Sequence, residues 1–69
     1  MNAREWIDAY AERLGVDPPS ADEFSTLLDL AAEAAHSSER VAAPVACWLA
    51  AKAGRDPEEA LALAREVAA

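Results

Sequence analysis

A chain of 69 residues makes one small domain, which buries only about 60% of its unfolded surface. Such a domain needs a disulfide, a metal, self-association or well-packed helices for stability. Its single cysteine excludes an internal disulfide, and no spacing of ligand residues predicts a metal or a cofactor. The 13 acidic and 6 basic residues give a net charge of −7, which disfavours nucleic acid and anionic membranes as partners.

The alanine content predicts the fold class. Nineteen residues are alanine, the best helix former, whereas only 2 are glycine. The remaining 18 larger apolar residues are few for a core, and the content of β-branched residues is low. We therefore expect an all-α fold that occupies residues 1–69 as a single domain.

The N-terminal segment and the cysteine usage bear on localisation. The opening stretch MNAREWIDAYAERLG lacks a basic region followed by a continuous apolar run, so we expect no secretory signal. No apolar run reaches the roughly 20 residues that cross a bilayer. An unpaired cysteine fits a reducing compartment, and we expect a cytoplasmic protein. Arginine-rich, lysine-poor usage indicates a GC-rich bacterial genome.

The first predicted helix spans about residues 3–14. Asn2 is placed to cap it, Glu5 stands at the position that completes a capping box, and Gly15 is typical of a helix end. Four larger apolar residues recur at helical spacing and predict its inward face: Trp6, Ile7, Tyr10 and Leu14.

The second predicted helix spans about residues 21–36, after a turn set by Asp17 and Pro18. Ser20 and Glu23 form a second capping box. Leu30 lies off the apolar stripe, where it would contact a third element or a partner. The stripe itself contains Phe24, Leu27, Leu28, Ala31 and Ala35.

The third predicted helix spans about residues 42–53, with Pro44 tolerated in its first turn and Gly54 at its end. Apolar residues surround this helix on all sides, which is typical of a helix that is buried all round. We therefore expect it to be the central helix of the domain or to be shared with a second subunit. Trp48 is expected in the core, although a partly exposed tryptophan would indicate a partner surface.

The fourth predicted helix spans about residues 57–68. Asp56 is its expected N-cap, Pro57 its first residue, and Glu59 stands three residues after the cap. The residues expected to face inward are Ala60, Leu61, Ala64, Val67 and Ala68.

Two residues invite a catalytic or metal-binding interpretation. His36 follows Glu33 at a spacing found in carboxylate di-iron bundles, but those need two such motifs and two further glutamates. A histidine near the end of a helix is also favoured by the helix dipole. Cys47 could act as a nucleophile with His36 as its base. Its apolar neighbours favour a filler role instead, and we expect no catalytic residue and no enzyme.

Two other functional classes remain as alternatives. Acyl carrier proteins are small, acidic four-helix domains that carry a prosthetic arm on a serine, and Ser25 lies near the start of the second helix. Phe24 stands where their attachment motif has aspartate. A helix-turn-helix regulator would need basic side chains on its recognition helix, but the third helix offers only Lys52 and the fourth only Arg65.

Four segments together resemble a family of small actinobacterial helical domains of unknown function. They are the Trp6 helix ending in residues 14–17, residues 27–31 leading to His36, residues 40–44 opening an apolar helix, and Gly54 before the last helix. The family pattern reads Arg-Pro-Ala-Ala-Pro where this chain has Arg40-Val41-Ala42-Ala43-Pro44. The resemblance implies a domain found alone or appended to molybdenum cofactor guanylyltransferases, and it implies no catalytic residues.

These observations lead to one functional expectation. We expect a non-catalytic protein–protein interaction or accessory module, linked through the resemblance to molybdenum cofactor biosynthesis. Its partner would be another protein or a second copy of the chain. The residues expected to form an interaction or polar site are His36, Arg40, Leu30 and Trp48.

Overall fold

The computed structural model describes residues 1–67, which form four helices and no strand. The all-α prediction is confirmed, and the predicted helix ends agree to within one residue from the start of the first helix to the start of the fourth. Ala68, expected on the last helix, lies outside the described residues. No helix in the described chain has the length and apolar character needed to cross a membrane. The helices are α1 (Ala3–Leu14), α2 (Ala21–Ser37), α3 (Ala42–Lys52) and α4 (Pro57–Val67).

Three of the helices begin at the predicted caps. The Glu5 backbone N–H donates to Asn2 Oδ1 over 2.8 Å, and the Asn2 backbone N–H donates back to Glu5 Oε1 over 2.9 Å. Ser20 and Glu23 form the same reciprocal pair at the start of α2. Asp56 Oδ1 accepts from a first-turn N–H of α4 over 3.0 Å. Helix α3 has no side-chain cap, because Val41 stands at its N-cap.

Both glycines follow helix ends in the left-handed conformation, with φ of 77° at Gly15 and 72° at Gly54. After α1, the Val16 N–H donates to the Ala11 carbonyl over 3.0 Å. The equivalent bond follows α3, and this pattern is the Schellman motif. The chain therefore ends both α1 and α3 with a left-handed residue, a conformation that favours glycine.

Helix α2 is the centre of the domain, since it packs against both α3 and α4. Leu30 of α2 is 2% exposed and forms the core with Ala60 and Leu61 of α4. The side chains of Cys47 and Ala50 from α3 pack against this cluster while remaining half-buried.

The prediction that α3 is the buried central helix is wrong, because α3 contains no buried residue. Its small side chains, among them Ala46 and Ala50, are half-buried, whereas its largest residues are exposed. Small side chains allow two helix backbones to approach closely, so one narrow stripe of α3 suffices for packing. The prediction that Trp48 is a core residue is therefore also wrong.

Several other residues predicted to face inward are exposed instead. On α1 only Ala11 is buried, and Arg4 and Ile7 are half-buried. Helix α1 is tied to α2 by the Arg4 guanidinium, which donates to the Pro19 carbonyl and lies 5.5 Å from the centre of the Phe24 ring. The large apolar residues that the structure leaves exposed, against prediction, are Trp6, Tyr10, Leu14, Leu28 and Val67.

Candidate interaction surface on helix α3

Four large apolar side chains project from α3 and its N-cap into solvent. Val41, Val45, Trp48 and Leu49 form this surface, which we call the α3 face. Trp48 is 60% exposed and Val45 is 55% exposed. Residues 41, 45 and 48, followed by Lys52, recur at alternating steps of four and three, the spacing by which one helix packs along another. The α3 face therefore has the pattern of a helix-packing surface without a helix on it.

The ends of the α3 face are basic. Lys52 Nζ lies 4.8 Å from the centre of the Trp48 ring, which is cation–π geometry. Residues 40–55 contain three bases, Arg40, Lys52 and Arg55, and no acid. Arg55 is paired with Glu59 of α4 over 3.3 Å, whereas Arg40 and Lys52 stand at the two ends of the α3 face. A partner with acidic side chains beside an apolar surface would match these ends.

An apolar groove of about 440 Å³ runs between α3 and α4, and Leu30 lies at its base. Leu49 belongs both to the α3 face and to this groove. The wall from α4 includes Leu63 and Val67, and Arg55 is the only charged residue that lines it within residues 1–67. The exposed apolar surface therefore continues from α3 toward α4.

A second apolar groove of about 190 Å³ lies on the other side of α3, where α1 and α3 flank α2. Ile7 of α1 and Cys47 of α3 line it, together with Leu27 and Leu28 of α2. Burial raises the pKa of the Cys47 thiol above its ordinary value, because desolvation disfavours the thiolate. Cys47 is thus a neutral thiol at pH 7, which fits an apolar side chain better than a nucleophile.

The four predicted site residues lie on α2, on α3 and in the connection between them. His36 lies in the last turn of α2 and Arg40 in the connection to α3, both exposed. Trp48 is exposed on α3, and Leu30 is buried on α2. The expectation that Leu30 contacts a third element is confirmed, since side chains of α3 and α4 cover it. It therefore does not contribute to an exposed interaction site. It is the most buried of the core side chains.

The candidate attachment residue and the candidate metal ligands of the other functional interpretations do not lie on α3. Ser25, the candidate attachment residue of a carrier protein, is exposed near the N-terminus of α2. Over the described part of the chain, no three His, Cys, Asp or Glu side chains are placed to hold a metal ion together.

Sequence reasoning missed Val45 and Leu49 as surface residues, although the sequence contained a signal for them. Large side chains of α3 recur at 41, 45, 48 and 49, whereas small ones recur at 43, 46, 47 and 50. On an apolar helix, a stripe of small side chains indicates the side that packs closely, and a stripe of large side chains indicates the side left open. Hydrophobicity alone does not distinguish the two sides.

The chain also exposes more surface than a compact monomer of its size. Its accessible surface is 5307 Å², whereas the scaling of surface with mass predicts about 4,200 Å² for 7.3 kDa. Its radius of gyration is 12.3 Å, against about 11 Å for a folded domain and about 25 Å for an unfolded chain of this length. The chain is folded, with an excess of about 1,100 Å² of surface.

Comparison with known proteins gives one match. The sequence matches a family described as a domain of unknown function, DUF6457, over residues 1–69. No curated protein matches the chain, and no solved structure matches it.

Proposed function

Since the chain belongs to the DUF6457 family of domains of unknown function, we propose a role for it as a non-catalytic protein–protein interaction module that acts through the α3 face. The observation that carries this proposal is the exposure of Trp48, Val45 and Leu49 on one side of a helix. Exposed tryptophan in a contiguous apolar surface is typical of binding surfaces, where a few such residues supply most of the affinity.

The chemistry of the chain supports a binding role more than a catalytic one. Both glycines, Gly15 and Gly54, serve as helix ends, so neither belongs to a phosphate-binding loop. The thiol of Cys47 is held neutral by burial. These features favour a module that acts by contact, and we place it in the cytoplasm.

The resemblance to segments appended to molybdenum cofactor guanylyltransferases gives the proposed context, in an actinobacterial cell. Part of that resemblance lies in Arg40 to Pro44, the segment that opens α3 and contributes Val41 to the α3 face. We therefore propose that this domain is an accessory to molybdenum cofactor biosynthesis and binds such an enzyme through the α3 face.

A direct binding experiment tests the proposal. The tagged chain is incubated with a purified molybdenum cofactor guanylyltransferase from the same cell, and the dissociation constant is measured for the wild type, Val45→Lys and Val16→Lys. The two valines are 55% and 59% exposed, so the substitutions are matched, but Val16 lies outside the α3 face. We expect Val45→Lys to weaken binding at least about tenfold, equivalent to about 1.4 kcal/mol. Val16→Lys should bind like the wild type.

A cellular experiment tests the link to the cofactor. Deletion of the gene should lower the activity of molybdenum enzymes, and the Val16→Lys gene should restore it where the Val45→Lys gene does not. Unchanged activity after deletion would reject the link to molybdenum cofactor. Equal binding by the two lysine variants would reject the α3 face as the binding surface.

A further inference from the structure

We propose that the partner covers the α3 face with an acidic amphipathic helix, which lies along the groove between α3 and α4. This inference rests on the proposed interaction role of the α3 face, and it names the segment that the partner presents there. The shape of the groove, the helical spacing of the α3 face and the distribution of charge around it support the inference.

The groove between α3 and α4 has the shape that accepts side chains of a third helix. Leu49 stands on its α3 wall, and Leu63 and Val67 stand one turn apart on its α4 wall, all three exposed. Its floor contains small side chains, among them Ala46 and Ala64. Large walls above a floor of alanines leave about 440 Å³ for apolar side chains of a partner, as in complexes where an amphipathic helix lies in a groove.

The α3 face indicates a helix as the occupant and sets its length. Residues 41, 45, 48 and 52 lie on one side of α3 and span about three turns, or about 16 Å. The described chain contains four helices and no strand, so an extended partner segment would find no sheet edge to pair with at this surface. A helix of at least three turns can pack its own apolar side chains along the α3 face and into the groove.

The two ends of the α3 face require acidic side chains on that helix. Within residues 1–67, neither Arg40 nor Lys52 forms an ion pair, and Lys52 Nζ lies 4.8 Å from the centre of the Trp48 ring. Glu39 precedes Arg40, so the Lys52 end is the more basic of the two. Carboxylates about eleven residues apart on the partner helix would lie beside both bases.

The α4 side of the groove sets the opposite requirement. Glu59 and Glu66 stand four residues before and three residues after Leu63, so they share its side of α4. Arg55 pairs with Glu59 over 3.3 Å, which leaves Glu66 to repel an acid on this side. The acids of the partner helix should therefore face α3. Residues 1–35, with 8 acids against 2 bases, would repel the same helix from the rest of the chain.

Designed peptides of about 15 residues test the occupant by NMR of the nitrogen-labelled full chain. The first peptide has leucines at alternating steps of four and three, with glutamates along one edge. The second has lysines in place of the glutamates, and the third has the residues of the first in an order without helical spacing. We expect the first to shift the indole N–H of Trp48 and to bind at least about tenfold more tightly than the other two. The indole N–H of Trp6 is the internal control, because Trp6 is 52% exposed and Trp48 is 60% exposed.

Variants of the chain test the charge and the second wall. Lys52 and Arg13 both stand in the last turn of a helix, so Lys52→Glu and Arg13→Glu are matched. Lys52→Glu should weaken binding of the acidic peptide at least about tenfold and strengthen binding of the lysine peptide, whereas Arg13→Glu should change neither.

Leu63→Gln tests the α4 wall, and Leu28→Gln, in the groove on the other side of α3, is its control. Both leucines are exposed, and glutamine keeps a high helix propensity, so circular dichroism should show both variants folded. We expect Leu63→Gln to weaken binding of the acidic peptide at least about threefold, and Leu28→Gln to bind it like the wild type.

The outcomes separate this inference from the proposed function. Equal binding of the three peptides, absence of binding at millimolar concentration, or equal shifts at Trp6 and Trp48 would overturn the acidic helix as occupant. If Val45→Lys abolishes binding of the guanylyltransferase while Lys52→Glu and Leu63→Gln bind it like the wild type, this inference is rejected and the proposed function stands. Selective binding of the acidic peptide by a chain that does not bind the guanylyltransferase would reject that enzyme as the partner and support the acidic helix.

Discussion

Side-chain size predicts that Trp48 is more deeply buried than Leu30, but the structure shows the reverse: Leu30 is buried and Trp48 is exposed. Leu30→Ala should lower the free energy of unfolding by about 3 kcal/mol, since it removes buried methyl groups beneath two helices. Trp48→Ala should lower it by about 1 kcal/mol or less. Chemical denaturation measures both. A larger loss for Trp48→Ala than for Leu30→Ala would contradict the burial described here.

Cys47 makes stability depend on pH in the alkaline range. Burial raises the pKa of the folded thiol above the ordinary 9.0. The unfolded chain therefore loses its proton first, and the stabilisation present below pH 9.0 is lost as the pH rises through the pKa of the folded thiol. The Cys47→Ala variant should lack this part of the alkaline decline in denaturation curves. An identical decline in both proteins would show that the thiol does not cause it.

At the scale of the element, Gly54 permits the turn between α3 and α4. Its φ of 72° is costly for any residue with a Cβ, although a Cβ there would meet no other atom within 4 Å. Gly54→Ala should therefore cost about 1 kcal/mol through the backbone alone. Gly54→Asn should cost less, because asparagine tolerates this conformation better. Denaturation midpoints of the two variants show which substitution lowers stability more. Equal losses of stability would indicate that the turn changes its geometry in the variants.

The helices could be predicted from the sequence, because their starts and ends depend on neighbours a few residues away. Asn2, Ser20 and Asp56 each meet a backbone N–H three residues later, and Gly15 ends α1 within the same turn. The position of α3 could not be predicted in this way. An apolar helix with one stripe of small side chains and one stripe of large side chains can pack through either stripe. Which stripe is buried depends on the residues of the neighbouring helices that contact it.

The candidate surface was predictable only in part. The sequence identified Trp48 as a residue whose exposure would indicate a partner, but it also favoured burial for it. His36 and Arg40 were selected for their polarity. They lie exposed, His36 in the last turn of α2 and Arg40 in the connection to α3. Leu30 was selected because it left the apolar stripe of α2. That departure arises because α2 packs on two helices and therefore needs a wider apolar surface than one stripe.

At the scale of the whole molecule, the packing is uneven along the chain. Helix α2 contacts both α3 and α4, whereas α1 has one buried residue, Ala11, and is attached to the start of α2 through Arg4. Amide hydrogen exchange should therefore be slowest in α2 and fastest in α1 when the chain is monomeric, because opening α1 exposes little buried surface. Uniform protection across α1 and α2 would mean that the four helices open as one unit.

The two stripes of α3 reverse the usual pattern of tolerance to substitution. In most amphipathic helices the large apolar residues are the ones that evolution must retain for folding, and alanines vary freely. Here Ala50 packs against the core cluster of Leu30, Ala60 and Leu61, so a larger side chain at that position would disturb the cluster and cost about 1–3 kcal/mol. Valine 45 and tryptophan 48 could be replaced without loss of the fold. Retention of those two residues among family members would then record selection for binding, separate from selection for stability.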